Sequence, residues 1–239
     1  MPERYDIEKA WFKTPNGRSA LMHIRYLSND WNTCNAAMTE DEYGLRDRSF
    51  SGSAIDIGGH LGAVTISLLV DNPDLLVETV EPIPENIDLI WKNAAINGVA
   101  GRLRVHEAAV GDGSAVTVRY AYTDNENDLH HAYIGNSTIT GADDREHRTV
   151  IVPSLTVRSF DSASFVKIDC EGGEWPFFAS GSAKKFPYIV GEWHPTGHTR
   201  DELFGLLPDH DITFTGPEGG PGGFTAILKH VWTDDPDER

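Results

Sequence analysis

Cysteine is nearly missing: Cys34 and Cys170 are the only two in 239 residues. A secreted scaffold stapled by disulfides would carry more, and no Cys-x-x-Cys pair offers the spacing of a zinc site. Basic residues are scarce as well, 20 Lys and Arg against 37 Asp and Glu, for a formal net charge of −17. A surface that tracks phosphates needs clustered cations, and a stretch such as Arg102 to Arg104 holds only two arginines. Nucleic-acid substrates and anionic membrane surfaces are disfavoured. The longest apolar run, Ala63 to Val70, contains Thr65 and Ser67 and is far too short to span a bilayer. Residues 1–20 carry Glu3, Arg4, Asp6, Glu8 and Lys9 and lack the apolar stretch of a signal peptide, so cytoplasm is the expected compartment. Internal repeats and low-complexity linkers are lacking too.

What remains is ordinary globular composition: 39% hydrophobic, 24% charged, 23 Gly and 13 Pro. A chain of this length buries roughly 70–75% of its unfolded surface and needs no staples. Strand and helix patterns alternate along it. Thr39 to Leu45 reads as a short helix and Ser53 to Gly58 as a buried strand. A helix-like run follows Gly62 and stops before Asn72-Pro73. Leu75 to Glu81 is the next strand. Pro84 to Asn97 is a helix with Ile87, Ile90, Trp91 and Ala94 on one face and Gly98 at its stop. Leu103 to Ala109 is a strand, and residues 114–157 hold two or three more around a polar loop, Thr123 to His131. Phe165 to Cys170, a helix near Glu174 to Ser180, Tyr188 to Trp193 and a helix at Thr199 to Leu207 complete the alternation. Ile212 to Thr215 and Phe224 to His230 flank a Gly-rich loop and form an antiparallel hairpin. The fold class is α/β, a mostly parallel sheet covered on both faces.

Two features carry chemistry. Asp56-Ile57-Gly58-Gly59-His60-Leu61-Gly62 lies at a strand's C-terminal end, where open α/β sheets bind ligands. Glycines let a ligand approach the backbone, and the following helix N-terminus offers free N–H groups. A nicotinamide-type Gly-x-Gly-x-x-Gly from Gly58 fails at His60 and Ala63, and a phosphate-binding Gly-Lys-Ser/Thr is absent. The plainer reading is a tight strand-to-helix turn. Glu81 ends the next strand, 23 residues after Gly58, where an acid can accept the hydroxyls of a ribose. Alone it would read as a solvated strand-end carboxylate; coupled to the glycine turn, the ribose reading wins.

These residues resemble the FkbM family of S-adenosylmethionine-dependent methyltransferases. The blocks are Asp56 to Gly62, Glu81-Pro82 with Asn86, Asn93 to Gly98, Ala108-Ala109-Val110-Gly111 and Asn136-Ser137-Thr138. Most specific is Val166-Lys167-Ile168-Asp169-Cys170-Glu171-Gly172-Gly173-Glu174, and Gly191-Glu192-Trp193-His194 is similar to a further strand. The blocks occur in the family's order over residues 40–230. His60 departs from the usual Asn or small residue, Arg158 stands where Asp is usual, and Tyr122 to Arg148 has no counterpart. The resemblance implies a Rossmann-like sheet of about seven strands with the last antiparallel. It also implies S-adenosylmethionine as cofactor and a small hydroxylated substrate, with neither nucleic acid nor membrane as partner. Natural-product or sugar O-methylation is the expected reaction. Residues 1–48 are expected to form an extension packing on the core, and residues 49–232 the methyltransferase domain with an insert at 114–157. A homo-oligomer is compatible with the sequence.

Within that implied site, Gly58, Gly59 and Gly62 admit the methionine part and Glu81 holds the ribose. Glu107, Ala108 and Ala109 lie near the adenine, and Asp56 orients the loop or meets the ammonium group. Asp169, Glu192 and His194 are expected to converge near the transferring methyl, His194 taking the substrate proton and His60 standing second. Lys167, Asp169 and Glu171 share one face if the strand runs on. Simpler roles stand beside these: Asp169 and Glu171 as helix caps, His194 as a strand-end histidine. Asp169, Glu192 and His194 could hold a divalent cation, but the spacing matches no diagnostic motif and no metal is expected. Residues 122–148 are expected to face the substrate. N- or carboxyl-methylation, a nicotinamide or nucleotide-sugar enzyme, and a non-catalytic binding module remain the alternatives.

Overall fold

The computed structural model describes residues 6–26, 28–121, 132–134, 147–217 and 220–229. The chain opens with strands β1 (Ile7–Lys13) and β2 (Ser19–Arg25), an antiparallel hairpin in which Ile7 faces Arg25 and Lys13 faces Ser19. Alternation along β2 buries Ala20, Met22 and Ile24. A short helix α1 (Asp30–Cys34) widens into π-type turns over Asn35–Glu40. The helix expected at Thr39 to Leu45 is therefore displaced: helical structure ends there. Asp41 adopts φ 61°, and its carboxylate takes the N–H groups of Leu45 and Arg46, which turns the chain.

The alternating body follows: β3 (Ser53–Ile57), α2 (Ala63–Asp71), β4 (Leu76–Glu81), α3 (Pro84–Ile96) and β5 (Leu103–Glu107). The third expected strand breaks at Ala108, after which β6 (Ala109–Val110) pairs with β10 (Ser154–Leu155). Between them β7 (Val116–Ala121), β8 (Ala132–Ile134) and β9 (His147–Val152) make a separate antiparallel sheet in the order β8-β7-β9. The polar loop Thr123 to His131, Asn136 to Thr138 and most of the insert expected to face the substrate lie outside the described residues. Then come β11 (Phe165–Ile168), α4 (Glu174–Ala179), β12 (Tyr188–Trp193), α5 (Arg200–Gly205), β13 (His210–Thr215) and β14 (Gly222–Leu228).

Seven strands form one sheet in the order β13-β14-β12-β11-β3-β4-β5, with β14 antiparallel to both of its neighbours and the remaining pairs parallel. Period-2 alternation splits each central strand between two cores. Ala54, Phe165 and Val190 join the core that also contains Met22, Leu61 and Ile66. Ile55, Val166 and Ile189 join the other, with Phe177, Phe186 and Trp193. On α3 the buried positions are Asn86, Leu89, Ile90, Asn93 and Ala94, whereas Trp91 is exposed, contrary to the expected face. Two asparagines explain the rotation. Asn93 and Asn97 accept the N–H groups of His23 and Leu21 and donate to the same residues' carbonyls, covering the free edge of β2. Among the described residues no helix is long and apolar enough to cross a membrane.

Candidate active site

A cavity of about 230 Å³ opens where β3, β4 and β11 end, the carboxyl-end crevice of a parallel sheet. Gly58, Gly59 and His60 form one wall and Glu81 to Ile83 with Asn86 another. Ala108, Ala109 and Tyr120 line it from the side of the insert, and Lys167, Asp169 and Glu171 from β11 and the turn after it.

The glycine turn is shaped first by the protein's own packing. Gly58 has φ 77°, and a Cβ there would sit 1.7 Å from the carbonyl oxygen of Asp169. The close approach of the two chains just past the ends of the paired strands β3 and β11 thus demands glycine whatever is bound. A Cβ on Gly59 would meet Thr79 at 2.2 Å. Gly62, at φ 92°, caps α2 and is not on the cavity wall. Asp56 is fully buried and also off the wall. Its Oδ2 accepts the N–H and hydroxyl of Thr65 at 3.1 and 2.6 Å, and its Oδ1 lies 3.4 Å from Lys167 Nζ. Of the two roles expected for Asp56, the geometry has it orienting the loop. Lys167 in turn donates to the carbonyl of Gly58 at 2.7 Å. Burial works against its charge, but Asp56 and Asp169 outweigh it and hold the ammonium's pKa above the usual value.

Glu81 is buried against the same turn. Its Oε2 accepts the His60 N–H at 2.8 Å, and its Oε1 accepts from Ile83 N at 3.0 Å and Asn86 Nδ2 at 3.1 Å. Burial pushes its pKa up to about 7, against the pull of these donors. An ionised carboxylate offers about four acceptor positions, so these three donors leave room for one more on Oε2. The residue one step beyond β5 is Ala108, and β5 pairs Glu107 with Glu81. Ala108 and Ala109 line the cavity, whereas Glu107 is exposed and does not.

At the opposite side, Asp169 Oδ2 accepts the Tyr43 hydroxyl at 2.9 Å. The strand does not run on: β11 ends at Ile168, and Glu171 takes φ 56° as the chain turns. Alternation is lost there, so Asp169, Cys170 and Glu171 all reach the cavity. His194 and Glu192 do not line it. His194 Nδ1 lies 3.2 Å from Glu174 Oε1, and its Nε2 lies 3.4 Å from Glu171 and 3.9 Å from Glu192. Burial lowers the imidazole's proton affinity, but the Glu174 hydrogen bond and the carboxylates of Glu174, Glu171 and Asp169 outweigh it and raise the pKa to about 9. At neutral pH His194 is an imidazolium with no lone pair to offer, which is at odds with its expected role as base. One donor atom each from Asp169, Glu171 and His194 falls within 4.8 Å of the others.

Several lining residues escaped the sequence reading. Arg25, Asn29, Thr33, Ala37, Glu42 and Tyr43 bring the N-terminal segment into the wall. Glu174 is fully buried, and its Oε1 also accepts from the N–H groups of Cys170 and Gly172. Only the glutamate's place one step past Gly-Gly hinted at that fold-back.

No curated protein matches the chain. Among solved structures it is similar to precorrin-6y C5,15-methyltransferase from Geobacter metallireducens GS-15. The identity is 15%, the TM-score 0.45, and 79% of this chain and 86% of that one are covered. A putative O-methyltransferase from Klebsiella pneumoniae gives 14%, 0.42, 84% and 80%. The Pyrococcus abyssi tRNA (uracil-54, C5)-methyltransferase in complex with S-adenosyl-L-homocysteine gives 13%, 0.46, 95% and 45%. Family membership rests on a different finding: the methyltransferase FkbM domain matches residues 56–213, well over half of the chain. With that match, the chain belongs to the FkbM methyltransferase domain family, whose members depend on S-adenosylmethionine.

Proposed function

We propose that the protein methylates a hydroxyl of a small molecule, with Asp169 taking the hydroxyl proton. The observation that carries this reading is the Asp169 carboxylate, which lines the cavity across from Glu81 and has its Oδ2 held by Tyr43 at 2.9 Å. When bound, S-adenosylmethionine supplies a methyl group on an electrophilic sulfonium. The residues present suit that cofactor. Glu81 keeps one acceptor position for a ribose hydroxyl, and the small side chains of Ala108 and Ala109 leave space beside it for a flat base.

The chain's own contribution is positioning and proton removal. Lys167 and Asp56 fix the Gly58 turn, so one wall of the site is rigid before any ligand arrives. Tyr43 fixes Asp169, whose remaining acceptor positions are open to a substrate O–H. His194, charged and next to Glu171, provides positive charge behind the carboxylates. Glu192, half exposed at the end of β12, is placed at the outer rim of that cluster. The formal charge of −17 supports a small substrate over a polyphosphate one.

The test is incubation with S-adenosylmethionine and a panel of hydroxylated, amino and carboxylated small molecules beside transfer RNA, read by mass gain of one methyl. A methyl ether on a hydroxylated compound is expected; methylated RNA or amine instead overturns the reading. With the substrate found, Asp169→Asn is expected to lower kcat by roughly 10²–10⁴ while leaving cofactor affinity intact. An unchanged kcat would remove Asp169 from the proton transfer.

A further inference from the structure

Arg25 ends β2, outside the residues that the family domain matches. Arg25 lines the cavity although it is only 8% exposed. Nε and Nη2 donate to the two oxygens of Asp30 at 2.8 and 3.0 Å, and the Arg25 backbone N–H adds a third bond at 2.9 Å. Nη2 also lies 3.1 Å from His60 Nε2. Asp30 itself is fully buried. A guanidinium gripped along one edge by a bidentate carboxylate is preorganised. Its Nη1 donates to no acceptor among the described residues.

The position along the cavity says what Nη1 is for. Ala108 and Ala109 follow β5, Glu81 lies beside them, Glu81 binds the His60 N–H, and the His60 ring touches Arg25. A nucleoside with its base at the alanines and its ribose at Glu81 carries its 5′ substituent toward His60 and Arg25. We propose that Arg25 binds the α-carboxylate of the cofactor's methionine part. The N-terminal segment thereby completes the cofactor site. This rests on the cofactor reading of Glu81, and it explains why a cation stands buried in that wall with a carboxylate already beside it. Asp30 keeps the guanidinium in place when no ligand is bound, and the open edge remains for an anion.

Calorimetric titration of the whole chain separates the two ideas. The wild-type protein is titrated with S-adenosylhomocysteine, with its decarboxylated analogue, and with 5′-methylthioadenosine, which lacks the amino-acid end. Loss of the carboxylate alone is expected to weaken binding about tenfold to hundredfold, the scale of one charged hydrogen bond. The double variant Arg25→Gln/Asp30→Asn leaves no buried charge unpaired. It is expected to bind S-adenosylhomocysteine weaker by the same factor and methylthioadenosine within about twofold of wild type. Equal wild-type affinity for S-adenosylhomocysteine and its decarboxylated analogue overturns the proposal, and needs no variant to fold. So does a double variant that loses methylthioadenosine as badly as S-adenosylhomocysteine. A wild-type protein that binds none of the three fails at Glu81, and the Arg25 assignment falls with it.

Discussion

Glu81 and His194 are both pushed towards their protonated forms, Glu81 by burial and His194 by the carboxylates facing it. Burial raises the Glu81 carboxyl from 4.5 to about 7, so the free protein holds both protonation states of it near neutral pH. Its contribution to stability is fully present below about pH 4.5 and is lost as pH rises through about 7. Ligand binding runs the other way, because a ribose hydroxyl donates best to the ionised oxygen. Affinity for S-adenosylhomocysteine is expected to rise between pH 6 and 8 and level off above. Glu81→Gln should bind it at least about tenfold weaker and without that slope. A parallel slope in the variant would place the titration elsewhere. His194 is raised from 6.5 to about 9, so its ion cluster stabilises the fold fully below pH 6.5 and loses that contribution as pH rises through about 9. Melting temperature should therefore fall across that range in the wild type, and the fall should be smaller in His194→Gln. Equal falls would show that the imidazolium contributes nothing.

At the scale of elements, local pattern revealed most of the body. Strand β12 was legible at its full length because Tyr188, Ile189, Val190 and Trp193 make a β-prone segment bounded by Pro187 and Pro195, and α3 because Pro84 opens it and Gly98 closes it. What escaped was set by long-range contacts. The face of α3 reads as apolar with Trp91 on it, but Asn93 and Asn97 turn inward to satisfy the edge of β2, about 70 residues earlier in the chain. The turn after β11 hides in the same way. Its sequence continues an alternating strand, and only the Gly58 contact with the Asp169 carbonyl and the Glu174 fold-back end it. Of the candidate site, Glu81, Gly58 and Asp169 could be read from their places at strand ends. Arg25 and Tyr43 could not, since nothing in the local sequence ties residues 25–43 to residues 58–81 and 169. Asn93 offers a test of that long-range tie. It is fully buried, accepting the His23 N–H at 2.6 Å and donating to the Leu61 carbonyl at 2.9 Å. Asn93→Leu is expected to cost about 2–3 kcal/mol in urea unfolding, since several backbone groups lose their partner at once. A cost under about 0.5 kcal/mol would mean the hairpin is held by apolar contact alone.

For the whole molecule, the sheet brings to one crevice the buried Glu81 carboxylate, the small side chains of Ala108 and Ala109, a second carboxylate held by a tyrosine, and an arginine from the N-terminal hairpin. The acidic exterior leaves the two cavity-lining cations, Arg25 and Lys167, each paired with a buried aspartate. Such a crevice suits a nucleoside carrying an amino acid better than one carrying a string of phosphates. The direct measurement is calorimetric titration of the full chain with S-adenosylhomocysteine and, in parallel, with NAD. The account predicts saturable one-to-one binding of S-adenosylhomocysteine, weakened by Glu81→Gln, and no heat with NAD. Binding of NAD with no heat from S-adenosylhomocysteine would contradict it.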